Sequence, residues 1–322
     1  MKSNILATQV FSMWNSMAGS PSWTLGRTIM NNTPNQLTNV FMETSMGYGN
    51  YNALFLSLTS HDFHGLTATS NFTWSRSLGT GSVAQATSEL SVLNPFNISQ
   101  SYGPQPFDYR FVYTLNMLYQ IPFMRTQKGI AGRILGGWSV APLFTAQSGQ
   151  PLQVNIGTGN NSDCQSFGET FCNGSANAYE NAVPAYPYPW GNSAHYNVVA
   201  TNGIGTSGNA SVGGSGINEF ANPSLAYADF RRIVLGLDTT ANGYGVLRGF
   251  PAWNLDLAVN KDFAITERFR ATFVAQFSNI FNHFQPMNPT LNIDQPQTWG
   301  VVTAQSTTIV SRQIEFGLRI HF

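Results

Sequence analysis

Two histidines and an aspartate, His61, Asp62 and His64, lie close enough along the chain to suggest a metal site. Imidazole and carboxylate groups are ordinary ligands of Zn²⁺, which requires several of them in a fixed tetrahedral geometry. These residues fall in a short polar stretch between two predicted strands, which is a poor place to build a closed site. We therefore expect a solvated turn and no bound metal.

The other residue types that could do chemistry lack the surroundings that the chemistry needs. No Gly-x-Ser-x-Gly nucleophile elbow accompanies the Ser, His and Asp residues. The glycine-rich stretch Gly203-Ile-Gly-Thr-Ser-Gly-Asn209 is followed neither by the Lys-Ser/Thr pair of a phosphate loop nor by a predicted helix. We interpret it as a flexible external loop. The sequence thus predicts no catalytic residue and no cofactor, and we expect that the protein is not an enzyme.

The two cysteines, Cys164 and Cys172, lie in a stretch rich in Gly, Asn and Ser. Their spacing would let a disulfide close a small loop in an oxidising compartment. We favour that disulfide; the alternative is two unrelated thiols.

The elements that must position these residues are clearest at the C-terminus, where residues 312–322 alternate between apolar and polar side chains. The apolar set is Ile314, Phe316, Leu318, Ile320 and Phe322. Period-two alternation places these side chains on one face of a β-strand, and its length suits the ~9–11 residues with which a tilted strand crosses a bilayer. A soluble sheet edge this apolar would invite aggregation. The tail therefore predicts an outer-membrane β-barrel whose final strand ends at the C-terminus.

The composition agrees with strands that face lipid on one side and water on the other. Of the 322 residues 42% are hydrophobic and only 9% are charged, whereas soluble domains carry roughly 25% charged residues. The chain contains no apolar run of ~18 residues, which excludes helical membrane spans. Net charge is zero and no basic stripe occurs, so nucleic acid is not an expected partner.

The same alternation recurs along the chain and predicts an all-β, antiparallel meander of about nine or ten strands. The segments are 50–59, 64–75, 109–121, 135–156, 252–261, 268–281, 299–305 and 311–322, with a weaker one near 226–237. Pro142 interrupts one of them, and we expect a bulge there.

If Phe322 ends in the periplasm, strand directions can be counted backwards from it. The long polar stretches 76–108 and 157–225 then lie outside the cell, as external barrel loops should. The turns at 60–63 and 122–134 lie inside, while 282–298 is longer than an expected connection.

Charged residues fall on the predicted polar face of the strands, where they would line a barrel lumen or contact a plug. They are Asp256, Arg268, Arg270, Glu315 and Arg319. We favour a structural role for these charges over selective ligand contact. Aromatic residues near predicted strand ends suit either a membrane-interface girdle or core packing; they are Trp74, Trp138, Trp253, Tyr119 and Phe322.

Several segments, taken in order, resemble the TonB-dependent receptors and, among them, the Oar-like barrels of carboxypeptidase-regulatory-domain proteins. They are Asn50-Tyr-Asn-Ala-Leu-Phe-Leu-Ser-Leu-Thr59, Phe72-Thr-Trp-Ser-Arg-Ser-Leu78, Ile134-Leu-Gly-Gly-Trp-Ser139, Phe144-Thr-Ala-Gln-Ser-Gly-Gln-Pro151, Trp253-Asn-Leu-Asp256, Ile265-Thr-Glu-Arg268 and Gln276-Phe-Ser-Asn-Ile-Phe-Asn-His283. The resemblance covers about residues 48–322, which we assign to the C-terminal part of such a barrel, and leaves 1–47 as a poorly defined N-terminal segment.

The resemblance implies an import receptor of a Gram-negative-type outer membrane, with a 22-strand barrel and a plug that contacts TonB. The implied partners are outer-membrane lipid, the barrel-assembly machinery with Phe322 as its signal, the N-terminal barrel and plug, TonB through that plug, and an unknown small or oligomeric ligand. Too few strands and no plug or TonB box are recognisable here. We therefore expect the C-terminal portion of a receptor.

Two alternatives stay open at this point. One is a self-contained small barrel that acts as a passive pore or adhesin, and the other is a secreted all-β sandwich. The apolar stretch after Lys2 is interrupted by Thr8, Gln9 and Ser12 and makes a poor signal peptide. We therefore interpret the chain as beginning inside a larger protein.

Overall fold

The computed structural model describes residues 47–80, 98–155, 182–185, 195–196, 198–199, 201–231, 246–265 and 269–321. Its main feature is a single antiparallel sheet whose long strands pair in chain order. The long strands are β1 (Gly49–Phe63), β2 (Leu66–Gly79), β3 (Phe111–Gln120), β4 (Trp138–Gln147), β5 (Ala252–Ala264), β6 (Arg270–Ser278) and β7 (Gln313–His321). The short strand Gly103–Pro104 extends the sheet beside the end of β2. The predicted all-β antiparallel meander is confirmed.

The strand register collects apolar side chains on one face of this sheet. Leu56 lies opposite Phe72, Leu255 opposite Phe144, and Phe273 opposite Leu318. The other face is polar, with Ser57 opposite Asn71, Asn254 opposite Thr145, and Gln276 opposite Glu315.

No second layer covers the apolar face within the described residues, and its large side chains stay exposed. Leu58 is 74% exposed and Phe316 is 69% exposed. In a sandwich the inner faces of two sheets bury such residues against each other. The described sheet therefore lacks the two-layer arrangement of a sandwich, and its exposed apolar face suits contact with lipid.

Two of the strands predicted from alternation are wrong. Residues 299–305 form a turn and isolated bridges, and Trp299, Val301 and Val302 are buried in a loop. The segment near 226–237 begins in the helix Pro223–Ala228 and the short strand Phe230–Arg231, and its residues 232–237 lie outside the described part. Alternation at 299–305 reflects packing within a loop rather than membrane crossing.

Removing both strands changes the direction of β5 and β6 but leaves β1 to β4 and β7 as predicted. Each long connection now follows an even-numbered strand, so all of them emerge at one end of the sheet, here called the loop end. They span 80–110, 148–251 and 279–312. The short connections 64–65, 121–137 and 265–269 lie at the opposite end, called the turn end. The unexpectedly long connection at 282–298 thus becomes part of a loop-end segment.

Pro142 is accommodated without the predicted bulge. The β3–β4 register is the same on both sides of it, with Asn116 opposite Leu143 and Tyr119 opposite Val140. The ladder simply lacks the pairs of Met117 and Leu118 in between. A local gap in one ladder suits a residue that has no N–H to donate.

The remaining elements are short and lie in the connections. Helix α1 (Gly129–Leu135) belongs to the β3–β4 connection, and 3₁₀ turns occur at Ile98–Ser101, Thr206–Gly208, Ala210–Val212 and Pro296–Thr298. Two-residue strands pair Val154–Asn155 with Leu291–Asn292, Val183–Pro184 with Phe230–Arg231, and His195–Tyr196 with Ile217–Asn218. No helix among the described residues is long and apolar enough to span a membrane.

Aromatic side chains mark both ends of the apolar face. Trp253 lies near the start of β5 at the loop end, and Phe263 lies near the end of the same strand. A rise of about 3.4 Å per residue and a tilt of about 40° separate these positions by about 26 Å along the membrane normal, close to the ~25 Å apolar band of an outer-membrane barrel. Trp74 likewise lies toward the loop end and Trp138 with Tyr119 at the turn end.

Two adjacent residues of β7 test which face contacts lipid. Leu318 lies on the apolar face, and Gly317 lies on the polar face, where an added Cβ would meet only Val274 at 3.9 Å. We expect Leu318→Arg to lower the free energy of unfolding in phospholipid vesicles by about 2–4 kcal/mol, because it places a charge in hydrocarbon. Gly317→Arg is the matched control and should cost less than about 1 kcal/mol. Equal losses in urea titrations of the two variants would contradict the assignment of faces.

Candidate functional site at the loop end

The two longest loop-end connections fold together into one structure, here called the loop unit, made of the described residues of 148–250 and 284–309. Backbone bonds join the two connections directly: Glu219 N donates to Gly300 O at 2.8 Å, and Gly205 N donates to Pro296 O at 2.7 Å. The parallel pairing of Leu291–Asn292 with Val154–Asn155 adds a third junction. The two connections therefore form one packed structure and not two separate loops.

Trp299 lies at the centre of the loop unit. Its ring centroid is 5.3 Å from that of Tyr227, 5.9 Å from that of Phe230 and 6.1 Å from that of Phe220. Further apolar side chains complete a buried cluster: Leu152, Val154, Ala182, Ile204, Ala226, Leu247, Leu291 and Ile293. Buried aromatic residues contribute large contact areas, so the loop unit has a hydrophobic core of its own.

The interpretation of residues 203–209 as a flexible loop is wrong. Ile204 is buried, and Gly205 has a φ of 67° with its Cα facing the Trp299 carbonyl, where a Cβ would approach to 3.2 Å. Glycine is required there because other residues rarely adopt that conformation. The aromatic residues around Trp299, within otherwise polar segments, are the signal by which the sequence could have indicated this core.

An ion pair between a buried aspartate and a partly buried arginine connects the loop unit to the sheet. Asp108, just before β3, is bonded to the Arg248 guanidinium, just before β5, and its Oδ1 also accepts a bond from Ser77 N at 2.6 Å. Arg248 donates a second bond to the Asp108 carbonyl at 2.5 Å. Beside it Gly149 packs directly against Gly249. The pair thus joins the ends of β2, β3 and β5 at the base of the loop unit.

Asp256 organises the other part of the loop end. Its Oδ1 accepts bonds from Asn279 N at 2.8 Å, Asn254 Nδ2 at 2.8 Å and Ser278 Oγ at 3.3 Å. Asn279 has a φ of 48°, and its side-chain Nδ2 donates to Val310 O at 3.0 Å. The His283 ring stacks on Trp253 at 4.0 Å. These bonds fix the position of the chain where it leaves β6, so the Asp256 carboxylate has a structural role.

The other residues singled out by the sequence are dispersed. Arg270, Glu315 and Arg319 lie exposed on the same polar face as Asp256 but at different strands and heights. His61, Asp62 and His64 lie at the β1–β2 turn, and nowhere in the described part do three His, Cys, Asp or Glu side chains come together as metal ligands. Arg268, Phe322 and the pair Cys164 and Cys172 lie outside the described residues.

Glu219 is an acidic group that the sequence did not single out. It follows the short strand Ile217–Asn218 and is buried next to the Trp299 cluster. Burial raises the pKa of its carboxyl from 4.5 to about 8, because removal from water disfavours the charged form. The group is therefore neutral in the folded loop unit at a pH near 7.

Comparison with known proteins identifies a family. The model of a family described as "Outer membrane beta barrel domain" matches residues 9–315. No curated protein and no solved structure matches.

Removal of Arg248 tests the ion pair at the base of the loop unit. Arg248→Met should lower the stability of the loop unit by about 3 kcal/mol, because the buried Asp108 carboxylate loses the Arg248 guanidinium and keeps only the more distant Arg110 Nε at 3.7 Å. Limited proteolysis should then cut the 148–250 segment faster. The double variant Asp108→Asn with Arg248→Met should recover part of the loss, whereas additive losses would show that the two groups do not act as a pair.

Glu219 makes the loop unit sensitive to pH. Because its folded pKa lies above its unfolded value, its contribution is complete below about pH 4.5 and is lost as the pH rises toward about 8. The loss is on the order of 4 kcal/mol. Hydrogen exchange of loop-unit amides, corrected for intrinsic rates, should therefore show weaker protection at pH 8 than at pH 5. Glu219→Gln should abolish this difference, while the exposed-site control Glu315→Gln should retain it.

Proposed function

Because the chain belongs to the family of outer membrane beta-barrel domains, we propose that it forms the C-terminal wall and the outer loop surface of a TonB-dependent, Oar-like receptor. Its location is the outer membrane. The loop unit would contribute to ligand binding outside the cell, and import would be driven through a plug held by the complete barrel. In this proposal the chain binds and transports but catalyses nothing.

The open edges of the sheet are the observation that carries the proposal. Among the strands that the structure describes, β1 pairs only with β2, and β7 pairs only with β6. Both edge strands are odd-numbered in an antiparallel meander and run in the same direction, so they cannot close on each other in antiparallel fashion. An odd number of further strands is needed to complete an antiparallel barrel.

Leaving these edges open in a bilayer would be costly. About half of the N–H and C=O groups of each edge strand point away from the sheet, and an unpaired group in hydrocarbon costs several kcal/mol. Summed over both edges, the cost is on the order of tens of kcal/mol. Strands from an N-terminal barrel portion, placed by the assembly machinery, would remove it.

The connections support the direction of the wall. Outer-membrane barrels have short periplasmic turns and longer extracellular loops, and in this chain the loop end carries every long connection. We assign the loop end to the cell exterior. The polar face, with Asp256, Arg270, Glu315 and Arg319, then faces the lumen and the plug.

The size and packing of the loop unit support a binding role. A core around Trp299 gives the external segments a fixed shape, which lowers the entropy that a ligand must remove on binding. The ligand class is a small or oligomeric molecule.

Affinity isolation from native outer membranes tests the receptor proposal. A tag inserted at Gly213, in an exposed turn of the loop unit, should recover plug and additional barrel peptides, either in the same polypeptide or tightly bound, together with TonB after cross-linking. Recovery of this chain without a plug, with steady ion conductance in planar bilayers, would favour a passive pore instead.

The same tag provides the control for orientation. It should be stained on intact cells, whereas a tag at Gly65 in the β1–β2 turn should be stained only after the outer membrane is permeabilised. The reverse result would contradict the sidedness but not the membrane location.

A further inference from the structure

The β3–β4 connection at the turn end has an unusual surface. Its large apolar side chains are exposed: Phe123, Met124, Ile130, Ile134 and Leu135. Three cations, Arg125, Lys128 and Arg133, are exposed among them, and no acidic residue occurs between 121 and 137. An apolar surface bordered by positive charge only is the pattern of a segment that lies in a membrane interface.

Hydrogen bonds place this segment on the apolar side of the sheet. Trp138 and Lys261 face each other on the apolar face at the turn end. Trp138 Nε1 donates to the Ile134 carbonyl at 3.0 Å, and Lys261 Nζ donates to the Gly136 carbonyl. Because both donors project from the apolar face, the C-terminal end of α1 lies outside the sheet, on the side that contacts lipid.

The aromatic surroundings of Lys261 fix the height of this contact. Its ammonium lies 5.3 Å from the centroid of the Trp138 ring and 5.1 Å from that of Phe263. Trp side chains at the edge of an apolar band mark the level of the lipid headgroups, whereas the Lys261 ammonium is buried and bonds the Gly136 carbonyl. The helix therefore lies level with the headgroups rather than in the hydrocarbon or in open water.

The segment is held rigidly in this position. The Gln127 side chain donates to Asp262 O at 2.8 Å and accepts from Ala264 N at 3.0 Å, so it bonds the end of β5 on both sides. Gly136 packs so closely on the Met124 carbonyl that a Cβ would lie 1.9 Å from its oxygen. The exposed apolar surface of the β3–β4 connection is therefore held in place before any lipid binds.

We propose that residues 122–135, the interfacial segment, bind the headgroup layer of the membrane and prefer anionic phospholipid. Phe123, Ile130 and Ile134 enter the acyl boundary, and the cations Arg125, Lys128 and Arg133 contact lipid phosphates. The inference rests on the proposed function only for the choice of membrane leaflet. If the loop end lies outside the cell, the segment contacts lipid of the periplasmic leaflet.

Nitroxide quenching in phospholipid vesicles tests the depth of the segment. In the full chain with Cys164→Ser and Cys172→Ser, a single fluorophore is placed by Ile130→Cys, Val212→Cys or Leu318→Cys. Ile130 is 81% exposed and Val212, in the loop unit, is 74% exposed, so they are a matched pair. A headgroup-level nitroxide should quench the label at 130 much more strongly than that at 212, and a mid-bilayer nitroxide should quench the label at 318.

These labels separate two kinds of failure. Quenching at 318 with equal quenching at 130 and 212 would overturn the interfacial segment and leave the membrane wall intact. Absence of quenching at 318 would overturn the lipid contact of the apolar face, and this inference with it. A label at 130 that is shielded in native membranes but quenched in vesicles would identify a protein, not lipid, as the natural occupant.

The charge preference is tested separately with nitroxides carried on the lipid headgroup. At equal mole fraction, labelled phosphatidylglycerol should quench position 130 at least about fivefold more than labelled phosphatidylcholine, as expected from one or more cations near an anionic surface. The triple variant R125Q/K128Q/R133Q should bring the ratio to about one. The control R270Q/R312Q/R319Q removes the same charge elsewhere and should keep the preference; a ratio unchanged in the first triple would overturn the anionic specificity.

Discussion

Every backbone N–H and C=O group that enters hydrocarbon must find a partner within protein, and this requirement explains most of the structure. It favours the long antiparallel ladders from β1 to β7 and restricts departures from the ladder to local ones such as the gap at Pro142. It also makes the outer edges of β1 and β7 the least satisfied part of the wall. The same hydrogen bonds that stabilise the sheet therefore argue for further strands beside it.

A single-layer sheet has no interior, so the hydrophobic core lies elsewhere. Its apolar face is directed at lipid, and the fully buried apolar residues cluster instead around Trp299 in the loop unit. The two regions are joined by the ion pair of Arg248 with Asp108, whose carboxylate is shielded from water. Burial of such a pair adds little net stability but makes loss of one member costly, which suits a junction whose role is to fix geometry.

Period-two patterns identified the sheet because lipid on one side and water on the other impose alternation along strands such as β3, β5 and β7, with local exceptions such as Lys261. The loop unit could not be inferred in this way, since its contacts join residues as distant as Asn218 and Trp299. The same limitation produced the false strand at 299–305, where Val301 and Val302 are buried by loop packing. Of the two falsely predicted strands, one lies between β4 and β5 and the other between β6 and β7. Each reversed the count of strand directions once, so their effects cancelled and the directions of β1 to β4 and of β7 were predicted correctly.

The connections at the two ends of the sheet differ in length and in the exposure of their apolar side chains. At the loop end, long segments form a structure with its own hydrophobic core. At the turn end the β3–β4 connection is short, and its apolar side chains stay exposed while Trp138 and Lys261 hold it beside the apolar face. A tilted strand can slide or rotate in a fluid bilayer unless groups at its ends prefer the interface. An interfacial segment fixed to β4 and β5 resists such motion where the sheet meets the headgroups, and so keeps the loop unit at a constant height above the opposite surface.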